Sequence, residues 1–101
     1  MKLAKVVDFM FDELEDAKKY AKCGAKAKAE GSEEMAMLAL KLADIEMSHA
    51  DMWHEQAMAI IKKNQEMLIS NEYMKAYVDD MQYDYIQQVA KVKYMVEAAK
   101  K

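Results

Sequence analysis

The fold is decided by the segment LAKVVDFMFDELEDAKKYAKCGAKAKA, residues 3–29, together with the turn that follows it. Its apolar and small side chains recur at alternating steps of four and three residues: Leu3, Val7, Met10, Leu14, Ala17, Ala21 and Gly24. This spacing places them on one face of an α-helix. Gly31 then interrupts the periodic pattern, so the sequence predicts a helix over about 3–29 and a turn at Gly31–Ser32.

A second helix is predicted from about residue 33 to the mid or late 60s. Ser32 is a natural N-cap, and Glu33 and Glu34 suit the positive end of the helix dipole. We expect its packed stripe to consist of Met35, Leu38, Leu42, Ile45, His49 and Met52. A further apolar stripe comprises Leu40, Ala43, Met47, Ala50, Ala57 or Met58, and Ile61. Because a helix that is apolar on two faces is usually buried on both, and a chain this short buries limited surface by itself, the pattern predicts an oligomer.

A third helical region is predicted over about 71–99, with the join at Ser70–Asn71. The expected fold is therefore all-α, a single domain over 1–101. It consists of an antiparallel two-helix hairpin over 1–69 and a C-terminal helix over 70–101. Cys23 is expected to be a small buried residue. Five tyrosines of the last helix are expected to pack against partners: Tyr73, Tyr77, Tyr83, Tyr85 and Tyr94.

The composition excludes several classes of protein. A chain of 101 residues with no Pro and two Gly cannot form the many tight turns of a β-sandwich or barrel. A single Cys excludes a disulfide scaffold and a Cys-rich zinc site. The chain has no Arg and a net charge of −3, which argues against nucleic acid as a partner. No apolar run approaches ~20 residues, so no membrane span is expected, and with no signal peptide the expected location is cytoplasmic.

Polar side chains interrupt the apolar faces at matching places on the first two helices. Glu13 stands in an otherwise apolar line on the first helix, and Glu46 and His49 interrupt the second. Glu13 lies 18 residues before Gly31, and Glu46 and His49 lie 15 and 18 after it. At about 1.5 Å per residue, all three are expected roughly 25 Å along an antiparallel hairpin. A carboxylate on a buried face is costly unless it is paired or binds a metal.

These three residues form half of a known ligand set. One Glu together with a Glu-x-x-His pair is half of the di-iron carboxylate site of helical bundles. The chain cannot supply the other half, because His54, in Asp51-x-x-His54, points about 140° around the helix from His49. Two copies related by a twofold axis complete the set, which predicts a metal site at a dimer interface. The alternative is a polar network of the same side chains without metal.

Two stretches carry a resemblance to a known family. DELEDAKKY, residues 12–20, and IEMSHA, residues 45–50, resemble the encapsulated ferritins, half-size members of the ferritin-like superfamily. The resemblance implies a ferritin-like four-helix bundle that dimerisation completes, a di-iron ferroxidase centre between the two chains, and assembly of dimers into a ring. It implies iron ligands at Glu13, Glu46 and His49, with Tyr20 in the outer shell and Asp12 and Glu15 near the iron entry path.

The implied activity is oxidation of Fe(II) to Fe(III) by O₂ or peroxide, with Mn or Zn as substitutes for Fe. Two alternatives stay open: a metal-free helical adaptor or oligomerisation protein, and a rubrerythrin-like di-metal peroxidase. The resemblance also raises a protein nanocompartment as a location. The last residues, 96–101, carry no Gly, Ser and Leu tag of the kind that addresses family members to a shell, so an encapsulin shell is not an expected partner.

Overall fold

The computed structural model describes residues 2–101 and contains four α-helices. They are α1 (Leu3–Ala29), α2 (Glu33–Lys63), α3 (Gln65–Ser70) and α4 (Glu72–Lys100). The predicted all-α fold class is confirmed, and residues 2–101 contain no strand. Met1, the first residue of the predicted hairpin, lies outside the described residues. The molecule is elongated, with extents of 55 × 20 × 14 Å.

The turn between α1 and α2 is built from backbone hydrogen bonds. The Ser32 N–H donates to the carbonyl of Ala27 at 2.8 Å, and the Gly31 N–H donates to that of Lys28 at 3.0 Å. These two bonds form a Schellman motif, whose left-handed residue is Gly31 with φ of 80°. Ser32 occupies the predicted N-cap position, but its side chain makes no capping hydrogen bond.

Helices α1 and α2 run antiparallel and enclose two apolar clusters. Met10 and Leu14 of α1 share the first cluster with Ala50 and Ala57 of α2. The second cluster joins Ala17 and Ala21 of α1 to Leu40 and Ala43 of α2, and α4 completes both clusters. The helices approach closely at Gly24, where an added Cβ would lie 2.6 Å from Leu40 Cδ2. Small residues at these positions therefore set the short distance between the two helices.

The predicted packed stripe of α2 does not pack against α1. Met35 and Leu38 are each 52% exposed and Met52 is 65% exposed, whereas the stripe through Ala43, Ala50 and Ala57 is fully buried. Sequence periodicity finds both stripes but does not say which one faces α1. The alanine-rich stripe allows α1 to approach closely, and α4 packs mainly against α1 rather than α2. The stripe of large side chains is consequently left open to solvent.

A break that the sequence does not predict interrupts the end of the hairpin. Helix α2 ends at Lys63, just short of the predicted mid or late 60s, because Asn64 breaks the helix and donates from Nδ2 to the carbonyl of Ile60 at 2.8 Å. The short helix α3 follows and buries Leu68. The predicted join at Ser70–Asn71 is found, and Asn71 Oδ1 caps α4 by accepting from the backbone N–H groups of the second and third residues after it, at 3.0 and 3.2 Å.

Two further expectations about side chains are corrected. Cys23 is exposed, since it lies next to Gly24 but off the buried face of α1. Among the tyrosines of α4, Tyr85 is buried within the chain's own core and is not left for a partner. Tyr73, Tyr83 and Tyr94 are exposed, so their packing against partners stays a prediction. No helix within residues 2–101 combines the length and the apolar character needed to cross a membrane.

Candidate metal centre

Helices α1 and α2 bring Glu13, Glu46 and His49 together. One ligating atom from each side chain lies within 4.8 Å of the others. His49 Nδ1 is 3.3 Å from Glu46 Oε1 and 3.7 Å from Glu13 Oε2. The three side chains converge as their spacing along the two helices predicts, because Glu13 and His49 are equally distant in sequence from the turn at Gly31.

The group lies at the edge of the α1–α2 interface and not in the core. The exposed fractions of the side chains are 18% for Glu46, 25% for Glu13 and 48% for His49. Within residues 2–101 no charged side chain is fully buried. The prediction that these three side chains lie on buried helix faces is therefore confirmed only in part. The carboxylates are shielded from solvent on one side and open to it on the other.

Glu46 perturbs the ionisation of Glu13. Hydrogen bonding with Glu46 raises the pKa of Glu13, and partial burial and the negative charge of Glu46 act in the same direction. His49 opposes this rise, while the negative charge of Asp16 adds to it. Without a cation, the Glu13 carboxyl group therefore holds its proton more readily than a free carboxyl group does. A divalent cation bound beside it would favour the charged carboxylate.

Glu13 and His49 line a surface cavity of about 380 Å³ together with Met52, Trp53 and Gln56. The Trp53 ring packs on Phe9, with 4.9 Å between the ring centroids. The cavity combines an apolar wall, formed by Met52 and Trp53, with the polar side chains of Glu13 and His49. It opens on the side of the hairpin where Met35 and Leu38 are also exposed.

The donor set fits a first-row transition metal. Two carboxylate groups and one imidazole suit Fe(II), Fe(III), Mn and Zn. Their ligating atoms already lie close enough together to share one ion. Since one chain supplies three donor groups, the remaining coordination positions are left to water or to a second copy of the chain.

The structure places the other predicted site residues outside this group. Tyr20 is half-buried and packs against the second apolar cluster. Asp12 and Glu15 are exposed, and the Glu15 carboxylate is 2.9 Å from Lys18 Nζ, which lowers the pKa of Glu15. Sequence reasoning missed Asp16 as the carboxylate whose charge reaches Glu13. The signal for it was the three-residue spacing, which puts both on one helix face.

The second His belongs to a separate contact between α2 and α4. The His54 ring stacks on Tyr85 with 4.1 Å between centroids, and its Nε2 lies 2.8 Å from Gln82 Oε1. The Tyr85 hydroxyl donates to Asp51, and burial together with this carboxylate raises the pKa of Tyr85. Asp51-x-x-His54 therefore docks α4 and does not point at the Glu13 group, as its position around the helix predicts.

No protein-family profile, curated protein or solved structure matches the chain. Its chemistry is therefore inferred from the geometry of Glu13, Glu46 and His49 and from the face of the molecule on which they lie.

Proposed function

We propose that the chain is one half of a di-iron ferroxidase. Two copies would pair through the open face of α1 and α2, and each would contribute Glu13, Glu46 and His49. The observation that carries the proposal is the convergence of these ligating atoms within 4.8 Å. The resemblance of residues 12–20 and 45–50 to the encapsulated ferritins supports it, and assembly of the dimers into a ring rests on that resemblance alone.

The open stripe of α2 supports pairing at this place. We define the open stripe as the exposed or half-buried residues Met35, Leu38, Leu42, Ile45, Met52, Trp53 and Ile60. Its midpoint along α2 falls between Met47 and Ser48, at the level of Glu46 and His49. A twofold axis there would pair two α2 helices antiparallel, with Leu42 opposite the partner's Trp53 and Glu46 opposite the partner's His49. The same pairing would bury the stripe and join two half-sites.

Iron is the substrate in this account: two Fe(II) ions are oxidised to Fe(III), and O₂ accepts the two electrons and two protons as hydrogen peroxide. Glu13 and Glu46 hold the cations through their carboxylates. His49 supplies a nitrogen donor. Trp53, packed on Phe9, forms the apolar wall that limits access of water.

The proposal is tested by anaerobic titration with Fe(II), followed by air, on protein of measured oligomeric mass. We expect saturation at about one iron per chain, as in a di-iron site shared by two chains. Trp53 is the only Trp of the sequence and lines the site, so its fluorescence reports the binding. Iron oxidation should be lost in Glu46→Ala and retained in Glu55→Ala, an exposed carboxylate on the same helix. Unchanged turnover in Glu46→Ala would sink the proposal.

A metal-free adaptor is the second candidate, and the open stripe favours it because an apolar face of this kind serves any helical partner. In that case Glu13, Glu46 and His49 form a polar network, and the iron titration gives no saturable binding. A rubrerythrin-like peroxidase would instead show oxidation of the bound metal that is much faster with peroxide than with O₂.

A further inference from the structure

Met52 lies beside the candidate metal centre, in the same surface cavity. It lines the same cavity as Glu13 and His49 and is 65% exposed. It follows His49 by three residues, so the two side chains are neighbours on one face of α2. Trp53, the other oxidisable side chain of the cavity, is half-buried and covered on one side by Phe9. The Met52 thioether is therefore open to solvent in the single chain, and pairing of two copies would enclose it together with the centre.

We propose that Met52 is a modification site, where peroxide formed by iron oxidation is captured as methionine sulfoxide. The inference rests on the proposed ferroxidase activity, which reduces O₂ by two electrons to hydrogen peroxide. In the capture step the Met52 sulfur attacks one peroxide oxygen, the O–O bond breaks, and an S–O bond forms. The other oxygen leaves as water, so the sulfur is oxidised by two electrons and the peroxide is reduced by two.

Exposure alone does not single out Met52 among the eleven methionines. Met37 is 70% exposed, Met67 is 59% exposed and Met35 is 52% exposed. Met37 lies about half a turn from the face that carries Glu46, and Met67 belongs to α3. What distinguishes Met52 is that it lies in the cavity where the peroxide is produced, so the oxidant reaches it before dilution into bulk solvent.

Oxidation of Met52 affects the pairing of two chains. Met52 belongs to the open stripe, the surface through which two copies would pair. A sulfoxide is polar, whereas the thioether is apolar and adaptable. Sulfoxide at Met52 therefore weakens the pairing of two half-sites, and iron oxidation slows when peroxide accumulates.

The test uses the full-length chain and Fe(II) as the probe. The protein oxidises Fe(II) under O₂ labelled with oxygen-18, and each Met is then examined by peptide mass spectrometry. Because the label enters only during turnover, oxidation during handling is excluded. We expect about tenfold more labelled sulfoxide at Met52 than at Met37 or Met67, because the oxidant is produced next to Met52. Equal labelling of the three residues would overturn the inference.

Two controls separate this inference from the proposed function. Unlabelled peroxide added without iron should oxidise the exposed methionines without preference for Met52. Met52→Leu should raise the free peroxide recovered after turnover, whereas Met37→Leu should not. If iron oxidation depends on Glu46 but the label shows no preference for Met52, the inference fails and the ferroxidase stands. If iron oxidation does not depend on Glu46, the peroxide is not produced at the centre beside Met52 and both fail.

Discussion

Replacing Glu46 by Gln should stabilise the metal-free protein at pH 8. The ligating oxygens of Glu13 and Glu46 lie within 4.8 Å of each other. Two unit charges at that distance repel by about 1–3 kcal/mol when the effective dielectric constant falls from that of water to that of a protein surface. With side chains 25% and 18% exposed, screening by water favours the lower half of this range, about 1–2 kcal/mol. Gln keeps the helix propensity of Glu, so the change isolates the charge.

The assay is thermal unfolding in a chelator, followed by circular dichroism. For a domain of this size, 1 kcal/mol shifts Tm by about 4–8 °C, so the variant should unfold several degrees above the wild type. The difference in stability between Glu46→Gln and the wild type depends on pH. Since the pKa of Glu13 is raised in the folded protein, the wild type loses stability as the pH rises through that pKa. The advantage of Glu46→Gln should therefore be present at pH 8 and absent at pH 4.

Added metal should make the wild type more stable than Glu46→Gln. At a Zn²⁺ or Mn²⁺ concentration 100 times Kd, the wild type gains about 2.7 kcal/mol, whereas the variant lacks a ligand and gains little. Glu55→Gln is the matched control, because it removes an exposed carboxylate from the same helix and should change stability by less than about 0.5 kcal/mol. The reasoning is refuted if Glu46→Gln is less stable than the wild type in chelator at pH 8.

Three further predictions concern the open stripe and the helix contacts. Leu38→Lys should abolish dimerisation and iron oxidation while the helix content stays unchanged. Met37→Lys, about 100° around the helix from Leu38 and outside the open stripe, should leave the dimer intact; light scattering measures the mass of each variant. Gly24→Ala should destabilise the fold by about 1–2 kcal/mol in urea titration, because the new Cβ would lie 2.6 Å from Leu40 Cδ2; stability equal to wild type would show that Leu40 moves freely. Tyr85→Phe should cost about 1 kcal/mol by removing the hydrogen bond to Asp51, and no loss in the same titration would count against that bond.

The first two helices and the convergence of Glu13, Glu46 and His49 were predictable because both follow from regular geometry. A rise of 1.5 Å per residue and a turn fixed by Gly31 determine which positions share a height. The place of Asn71 at the start of α4 was also predictable, since Asn is a preferred N-cap.

The buried face of α2 was not predictable, because both of its stripes have helical periodicity. The choice depends on how closely the alanines at positions 43, 50 and 57 let α1 approach, which is a property of the pair of helices. The break at Asn64 was missed because no Gly or Pro marks it. The role of His54 depends on Tyr85, 31 residues away in the sequence, and no local pattern indicates that contact.

We propose above that two chains share one di-iron site built from Glu13, Glu46 and His49. Native mass spectrometry of the protein mixed anaerobically with Fe(II) tests it directly, because mass and metal content are measured on the same particle. We expect a dimer that carries about two irons, and we expect Glu46→Ala to lose that iron. Iron bound equally by monomers, or a dimer that retains its iron in Glu46→Ala, would contradict it.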